Sequence, residues 1–283
     1  MNLQDIGVIG AGTMGNGIAQ VCALAGFKVT LIDISDSALQ KAIATVGKNL
    51  DRQIAKDTLT QEQKLATLDR IRTSTDYSSL QNVQLVIEAA TENLDLKLRV
   101  LQQIAAQVSP DCVIASNTSS LSITQLAASV SQPERFIGLH FFNPVPVMGL
   151  IEVIRGLQTS DATHALALDM ATTLGKTAIT AGNRPGFVVN RILVPMINEA
   201  VLVLQEGLAS AEDIDAGMRL GCNQPIGPLA LADLIGLDTV LAILEAFYEG
   251  FNDSKYRPAP LLKEMVAAGY LGRKTGRGFH AYA

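Results

Sequence analysis

The run GVIGAGTMG near the start of the chain constrains the fold more than any other feature of the sequence. Gly10, Gly12 and Gly15 have the spacing GxGxxG, with an apolar strand pattern before them and a helix pattern after them. The next strand pattern, FKVTLID, ends at Asp33, 18 residues after Gly15. A strand, a glycine turn, a helix and a second strand ending in an acid are typical of a βαβ unit that binds a dinucleotide.

Each residue of the glycine turn has a physical role in such a unit. Gly10 permits the tight turn, Gly12 lets the backbone approach a pyrophosphate, and Gly15 lets the helix pack closely on the strand. Thr13 and Met14 lie within the glycine motif, and a helix pattern follows from Ile18 to Ala25. The amides at the N-terminus of that helix face the negative charge of the pyrophosphate. We therefore assign the three glycines, Thr13 and Met14 to the cofactor.

Asp33 indicates which dinucleotide is bound. Its carboxylate would accept hydrogen bonds from the adenosine ribose hydroxyls and would repel a 2′-phosphate. The residues DISDS that begin at Asp33 supply no arginine to receive such a phosphate. The sequence therefore predicts NAD as the cofactor rather than NADP.

The pattern of secondary structure changes at about Asn183. Before it, short runs rich in Val and Ile alternate with helical patterns, which predicts a mostly parallel sheet. After it, helices are predicted at 187–207, 211–220, 228–248 and 260–268. We predict an α/β domain of the Rossmann type, doubly wound, at residues 1–183, followed by an all-α domain at residues 184–283.

Composition narrows the class of protein. With 283 residues, 48% of them hydrophobic, and a net charge of -5, the chain is expected to form two globular domains that bind no nucleic acid. It shows no leader pattern, and charged residues interrupt its most apolar run, so no membrane association is expected. Three widely spaced cysteines predict neither disulfides nor a metal site, and they favour the cytoplasm.

Polar residues follow two strand patterns, where ligands of doubly wound sheets bind. Glu92 and Lys97 follow LVIEAA. Five short polar residues follow CVIA, namely Ser116, Asn117, Thr118, Ser119 and Ser120. Helix capping needs only one such side chain, which leaves most of this set unexplained. We assign Asn117 to the cofactor.

One of three histidines is suited to proton transfer. Oxidation of an alcohol by NAD requires a base, and imidazole titrates near the working pH. The pattern places His164 on a helix and His280 near the chain end, whereas His140 ends the strand pattern RFIGLHFF. A lone histidine among phenylalanines is more often a core residue than a catalyst. Asn143, Pro144 and Pro146, which end the strand abruptly, favour catalysis.

Glu152 is the expected partner of His140. It lies in the apolar run LIEVI, where a carboxylate is costly unless it is paired. If the two strands are neighbours, the carboxylate can hold the imidazole in one tautomer and stabilise the imidazolium. The sequence therefore predicts a base and its orienting partner.

Several blocks of the sequence resemble the short-chain 3-hydroxyacyl-CoA dehydrogenase family. They are GAGTMG, IEAATEN, SNTSSLSI, GLHFFNPVPVM, LIEVI, PGFVVNRILVPMINEA, DIDAGMRLG, GPLALAD and GRKTGRGF, and they cover essentially the whole chain. The resemblance implies reversible, NAD-dependent oxidation of an (S)-3-hydroxyacyl-CoA with a short acyl chain. It also implies a homodimer formed through the helical domain.

The resemblance implies roles for individual residues as well. His140 is the general base and Glu152 its partner. Ser119, Asn143 and Asn190 hold the substrate and the base. Glu92, Lys97, Ser119, Asn143 and Lys274 match positions that contact cofactor or acyl-CoA, and Lys56 matches a coenzyme A contact.

Some alternatives stay open. Lys41, Lys48, Arg52 and Lys56 lie at helical spacing, which suits either coenzyme A phosphates or a solvated helix face. The enzyme could instead oxidise a free sugar acid such as gulonate, or the protein could be a non-catalytic, crystallin-like or NAD-sensing relative. The presence of both His140 and Glu152 argues against the non-catalytic alternative, and coenzyme A dependence separates the two enzymes.

Overall fold

The computed structural model describes residues 3–282 of the chain. The chain divides into two compact units, Met1–Arg184 and Pro185–Ala283. The first unit is built on one sheet, and the second is helical.

The sheet of the first unit has eight strands in the order β3-β2-β1-β4-β5-β6-β7-β8. The strands are β1 (Asp5–Ile9), β2 (Lys28–Ile32), β3 (Ile71–Ser74), β4 (Leu85–Glu88), β5 (Val113–Ser116), β6 (Phe136–Phe141), β7 (Leu150–Arg155) and β8 (Thr177–Gly182). All neighbouring strands are parallel except β6 and β7, which are antiparallel. The predicted doubly wound, mostly parallel sheet is confirmed.

Six α-helices accompany these strands in the part of the first unit that the structure describes. They are α1 (Thr13–Leu24), α2 (Asp36–Ile54), α3 (Gln61–Asp69), α4 (Leu94–Gln107), α5 (Ile123–Ala127) and α6 (Asp161–Thr173). The side chains of Ser35, Asn93 and Ser160 cap α2, α4 and α6 by accepting a backbone N–H of the first turn, as helix N-caps do. Every residue of β4, β5 and β6 is buried, which is typical of central strands with helices on both faces.

The turn between β1 and α1 can be made only by glycine at two positions. Gly10 has φ +98°, a conformation that disfavours other residues. A Cβ on Gly15 would collide with the Gly10 carbonyl oxygen. Glycine is therefore required at these two positions for α1 to pack closely on β1, as the motif predicts.

The second unit contains five α-helices among its described residues. They are α7 (Val189–Gln205), α8 (Ala211–Gly221), α9 (Pro228–Ile235), α10 (Leu237–Phe251) and α11 (Pro260–Ala267). Their apolar faces bury Leu229, Val240, Leu244 and Phe247, among others, in one core. The predicted helical second domain is confirmed.

One predicted helix of this unit was wrong in extent. The sequence predicts a single helix over 228–248, but the structure has two, separated at Gly236. Gly236 has φ +103°, which no α-helical residue adopts. Apolar periodicity continues through Gly236, so periodicity alone did not locate the break.

No helix within residues 3–282 is both long and apolar enough to span a bilayer. Over the same residues, no group of three or more His, Cys, Asp or Glu side chains could hold a metal ion.

Candidate active site

Strands β6 and β7 bring the predicted base and its partner together. His140 and Glu152 are paired in the antiparallel register, and His140 Nδ1 lies 2.7 Å from Glu152 Oε2. Glu152 is fully buried, and His140 is 6% exposed. A carboxylate only accepts hydrogen bonds, so in the neutral imidazole the proton is on Nδ1 and not on Nε2. That tautomer is the one a general base requires.

The loop after β6 is held by a residue that the sequence did not single out. Lys176 Nζ donates to the carbonyl oxygens of Val145 and Met148 at 2.8 and 2.6 Å. Burial lowers the pKa of the Lys176 ammonium. These two bonds anchor the loop that carries Asn143, which is exposed. A lysine between a helix and a strand looks like an ordinary surface residue, so no sequence signal identified it.

The glycine turn presents an open backbone. Gly12 and Thr13 are exposed, and a Cβ on Gly12 would meet no atom within 4 Å. Gly12 caps α1 without a side-chain hydrogen bond. Asn16 Nδ2 donates to the Gly12 carbonyl at 2.7 Å and so steadies the turn. Backbone amides at a helix N-terminus with space before them fit a pyrophosphate.

Asp33 lies beside this turn. Its Oδ2 accepts from Ala11 N at 2.8 Å, and its Oδ1 accepts from Ser35 N at 3.1 Å. Ile34, the next residue, is 90% exposed and offers an apolar surface that the sequence reading overlooked. Burial, and then the charges of Asp33 and Glu88, raise the pKa of Tyr77. Two backbone N–H groups therefore hold the Asp33 carboxylate beside the glycine turn.

Glu92 and Ser119, predicted separately, lie in contact. Glu92 Oε1 accepts from Ser119 N at 2.8 Å and from Ser119 Oγ at 3.2 Å, and Oε2 accepts from Thr118 Oγ1 at 2.7 Å. Asn117 Oδ1 accepts from Phe141 N at 2.8 Å. Glu92 thus joins the exits of β4 and β5, and Asn117 joins the exit of β5 to β6.

Lys97 does not reach the surface of this region. The residue is 1% exposed, and its Nζ lies 2.5 Å from Glu88 Oε2. The structure therefore places the ammonium inside the protein, although the resemblance implies a ligand contact for it.

A pocket of about 430 Å³ lies among the glycine turn, α2 and the loop after β6. Asn143 lines it, together with Lys41, Thr45 and Asn49 of α2. Thr45 and Asn49 were missed because polar residues on a helix look solvated in sequence. Lys56 is exposed just beyond α2 and does not line the pocket.

The two site residues predicted in the second unit lie in different elements of it. Asn190 is half-buried in the first turn of α7. Lys274 is exposed, and its Nζ lies 2.5 and 2.6 Å from the carboxylate oxygens of Asp238. That hydrogen bond lowers the pKa of Asp238. The buried Asp233 holds the segment that follows Lys274 by accepting from Phe279 N at 2.9 Å.

A doubly wound sheet, a GxGxxG turn with an acid beside it, and a helical second domain define a dinucleotide-dependent dehydrogenase. Two family models identify which one. The NAD binding domain of 3-hydroxyacyl-CoA dehydrogenase matches residues 5–184, and the C-terminal domain of the same enzyme matches residues 186–282. The chain belongs to the 3-hydroxyacyl-CoA dehydrogenase family. It is an oxidoreductase whose cofactor is NAD, which confirms the family and cofactor predicted from the sequence.

Individual relatives agree over the whole chain. A 3-hydroxybutyryl-CoA dehydrogenase of Bradyrhizobium diazoefficiens is 51% identical over 99% of this chain and 96% of its own length. The 3-hydroxybutyryl-CoA dehydrogenase of Clostridioides difficile is 46% identical over 99% of both chains. The crystal structure of (S)-3-hydroxybutyryl-CoA dehydrogenase PaaH1 from Ralstonia eutropha is 62% identical, covers 100% of both chains and has a TM-score of 0.98.

Proposed function

We propose that the protein interconverts (S)-3-hydroxybutyryl-CoA and acetoacetyl-CoA, with NAD as the redox partner. Three similar proteins bear the name of this activity. The observation that carries the mechanism is the 2.7 Å contact between His140 Nδ1 and the buried Glu152 carboxylate. Such a reaction belongs to fatty acid and butanoate metabolism.

His140 handles the proton. In the oxidation, its Nε2 accepts the substrate hydroxyl proton while the bond between carbon 3 and its hydrogen breaks. The imidazolium that forms is stabilised by Glu152, whose charge acts strongly because both side chains are buried. In the reduction, the imidazolium returns the proton to the developing alkoxide. When bound, NAD supplies the hydride acceptor for carbon 3.

The chain has residues suited to hold NAD. The amides at Gly12 and Thr13 are open to a pyrophosphate, and Asp33 would accept from the adenosine ribose. The exposed Ile34 offers an apolar face to the adenine ring. Glu92 and Asn117 brace the neighbouring strand exits, where the nicotinamide half would lie.

Four residues are proposed for the acyl-CoA. Ser119, Asn143 and Asn190 would bind the hydroxyl or thioester end through amide and hydroxyl hydrogen bonds. Lys56 would bind the coenzyme A phosphates. Lys41, which lies on α2 and lines the pocket, would supply a second cation. In a chain with net charge -5, such local cations are needed to hold an anionic carrier. We also propose that Lys274 contacts the cofactor. Its ammonium would then bond to the cofactor instead of to Asp238.

The decisive experiment follows NADH absorbance with four substrates in parallel. They are acetoacetyl-CoA, free acetoacetate, free gulonate with NAD, and longer 3-oxoacyl thioesters. We expect the highest kcat/KM with acetoacetyl-CoA and turnover of free acetoacetate lower by orders of magnitude. Equal turnover of free acid and thioester would refute coenzyme A recognition.

We also propose a cytoplasmic homodimer. Three unpaired cysteines suit a reducing compartment. The helical unit exposes Ile192 on α7 at 68%, beside a groove of about 830 Å³, and a second copy would cover this apolar surface. Light scattering should give twice the chain mass, and Ile192→Glu should shift it toward the monomer. A monomeric wild type would refute the dimer.

A further inference from the structure

Asn143 lies in a loop that the sheet holds only at its ends. We call residues 142–149 the β6–β7 loop, and they belong to no helix or strand. Strands β6 and β7 pair with each other on either side of it, and Thr177 N donates to the Gly149 carbonyl at 2.7 Å. The position of Asn143 therefore depends on contacts that the rest of the loop makes outside the sheet.

One side chain from outside the loop fixes its middle. Lys176 Nζ donates to the carbonyl oxygens of Val145 and Met148 at 2.8 and 2.6 Å. Inside the loop, Val147 N and Met148 N both donate to the Pro144 carbonyl, at 2.9 and 3.0 Å. Hydrogen bonds from a charged donor are stronger than those from a neutral one. The turn that follows Asn143 is thus held both from within and by the ammonium.

The loop also packs closely on α1. Val145 is 2% exposed, and a Cβ on Gly17 of α1 would lie 2.8 Å from Val145 Cβ and 3.5 Å from Pro146 Cδ. At the start of the loop, the ring centroid of Phe142 lies 4.5 Å from that of His140. The β6–β7 loop therefore contacts the catalytic base at one end and the helix of the glycine turn in its middle.

An ordinary surface role does not account for Lys176. A surface lysine keeps its ammonium in water, whereas Lys176 is half-buried and donates to two main-chain carbonyls of one loop. Burial lowers the pKa of this ammonium, so the charged form is kept at a cost that its hydrogen bonds offset. Side-chain bonds of this kind hold their partners in one arrangement.

We propose that Lys176 is a positioning residue for Asn143. Asn143 follows the base His140 by three residues and lines the pocket beside the glycine turn. Lys176 holds the turn after Asn143 and so keeps the amide in place for the substrate. It acts through the main chain of the β6–β7 loop and does not touch the substrate. The inference rests on the substrate role proposed above for Asn143.

The test is a double-mutant cycle on turnover. Lys176→Met keeps most of the side-chain length without the ammonium, and Asn143→Ala removes the amide. NADH loss with acetoacetyl-CoA gives kcat for the wild type, both single variants and the double variant. We expect Lys176→Met to lower kcat by about 10-fold to 10²-fold, because misplacement by about 1 Å can cost that much. Asn143→Ala should lower kcat at least as far, and the double variant should equal Asn143→Ala, because the two residues act as a unit.

Other patterns of the cycle overturn the proposal. If the two losses multiply in the double variant, Lys176 acts by a route that does not involve Asn143. Wild-type kcat in Lys176→Met, together with a lowered kcat in Asn143→Ala, refutes this inference and leaves the proposed function intact. Wild-type kcat in Asn143→Ala refutes the substrate role of Asn143 and this inference with it.

A control on the helix before Lys176 separates positioning from stability. Thr163 lies in the first turn of α6, at the end far from Lys176. Thr163→Val removes a hydrogen bond of 2.9 Å to the Glu134 carbonyl and should lower the melting temperature with kcat unchanged. Lys176→Met should lower kcat even where its melting temperature is no lower than that of the control. An equal loss of kcat in Thr163→Val would mean that turnover follows stability, and the proposal would fail.

Discussion

Two buried glutamates of the first unit have the same setting, but their basic partners differ. Glu152 lies 2.7 Å from His140 and Glu88 lies 2.5 Å from Lys97, with both carboxylates fully buried. The partners differ in chemistry and access. Imidazole has a second nitrogen on the far side of its ring, and the His140 side chain is 8% exposed. The Lys97 side chain is 1% exposed and its ammonium bonds inward.

In both pairs, a buried carboxylate fixes the position of its basic partner. A histidine can bond to the carboxylate through one ring nitrogen and exchange a proton through the other. A lysine has a single nitrogen, so the ammonium that bonds Glu88 must also make any further hydrogen bond of this side chain, as it does with Ser116.

The largest effect should come from His140→Gln. Loss of the base should lower kcat by a factor on the order of 10²–10⁴, while NADH Kd stays unchanged because the glycine turn is untouched. Steady-state rates and NADH fluorescence measure the two quantities. His164→Gln on α6 is the matched control and should keep wild-type kcat. Near-normal turnover of His140→Gln would remove this residue from the mechanism.

Glu152→Gln tests the role of the buried carboxylate beside His140. The amide cannot stabilise an imidazolium, and it no longer enforces one tautomer, so kcat should fall about 10²-fold with NADH Kd retained. Steady-state rates and NADH fluorescence measure the two quantities. If Glu152→Gln weakens NADH binding and spares kcat, Glu152 is not the partner of the base.

Asp33 is a third carboxylate, which accepts from two backbone amides. Asp33→Asn should reduce the preference for NAD over NADP by roughly tenfold or more, because like-charge juxtaposition costs several kcal/mol. The ratio of kcat/KM for the two cofactors measures it. Asp36→Asn, an exposed change on α2, is the charge-matched control. An unchanged ratio in Asp33→Asn contradicts the ribose assignment.

Cysteine labelling reports whether the site variants keep the fold. Burial raises the pKa of Cys22 and Cys112 to about 12, and only the thiolate is reactive. Cys222 is exposed. Iodoacetamide should therefore label Cys222 in native protein, in the wild type and in His140→Gln alike, as read by peptide mass spectrometry. Labelling of Cys112 in the native wild type would contradict the burial described.

The smallest effect concerns His164, a histidine without a buried carboxylate partner. Burial, and then Arg155, lower its pKa, and Asp161 opposes them. The unfolded chain therefore binds more protons just below the ordinary histidine pKa, so this residue makes stability rise as pH increases through that window. In His164→Gln the rise in melting temperature between about pH 5 and pH 7 should be smaller. A steeper rise would reverse the sign of the assignment.

Much of the site could be predicted because it follows from local rules. Glycine spacing reports backbone conformation, and a glutamate in an apolar run must find a partner. Lys97 was different. Its place in sequence fits a ligand contact, but its direction depends on Glu88 and Ser116, which lie on two other elements. Lys176 and Asn49 were not singled out, because their partners come from distant parts of the chain.

The sequence by itself determined the class of fold, the glycine turn and the pairing of His140 with Glu152. These depend on backbone conformation and on periodicity within single elements. The tertiary structure alone decided that Lys97 faces inward, that Glu92 holds Ser119, and that Gly236 divides a helix. Those outcomes depend on which side chains of different helices and strands come into contact, and on how much water is excluded between them. The order of residues along the chain does not specify these contacts.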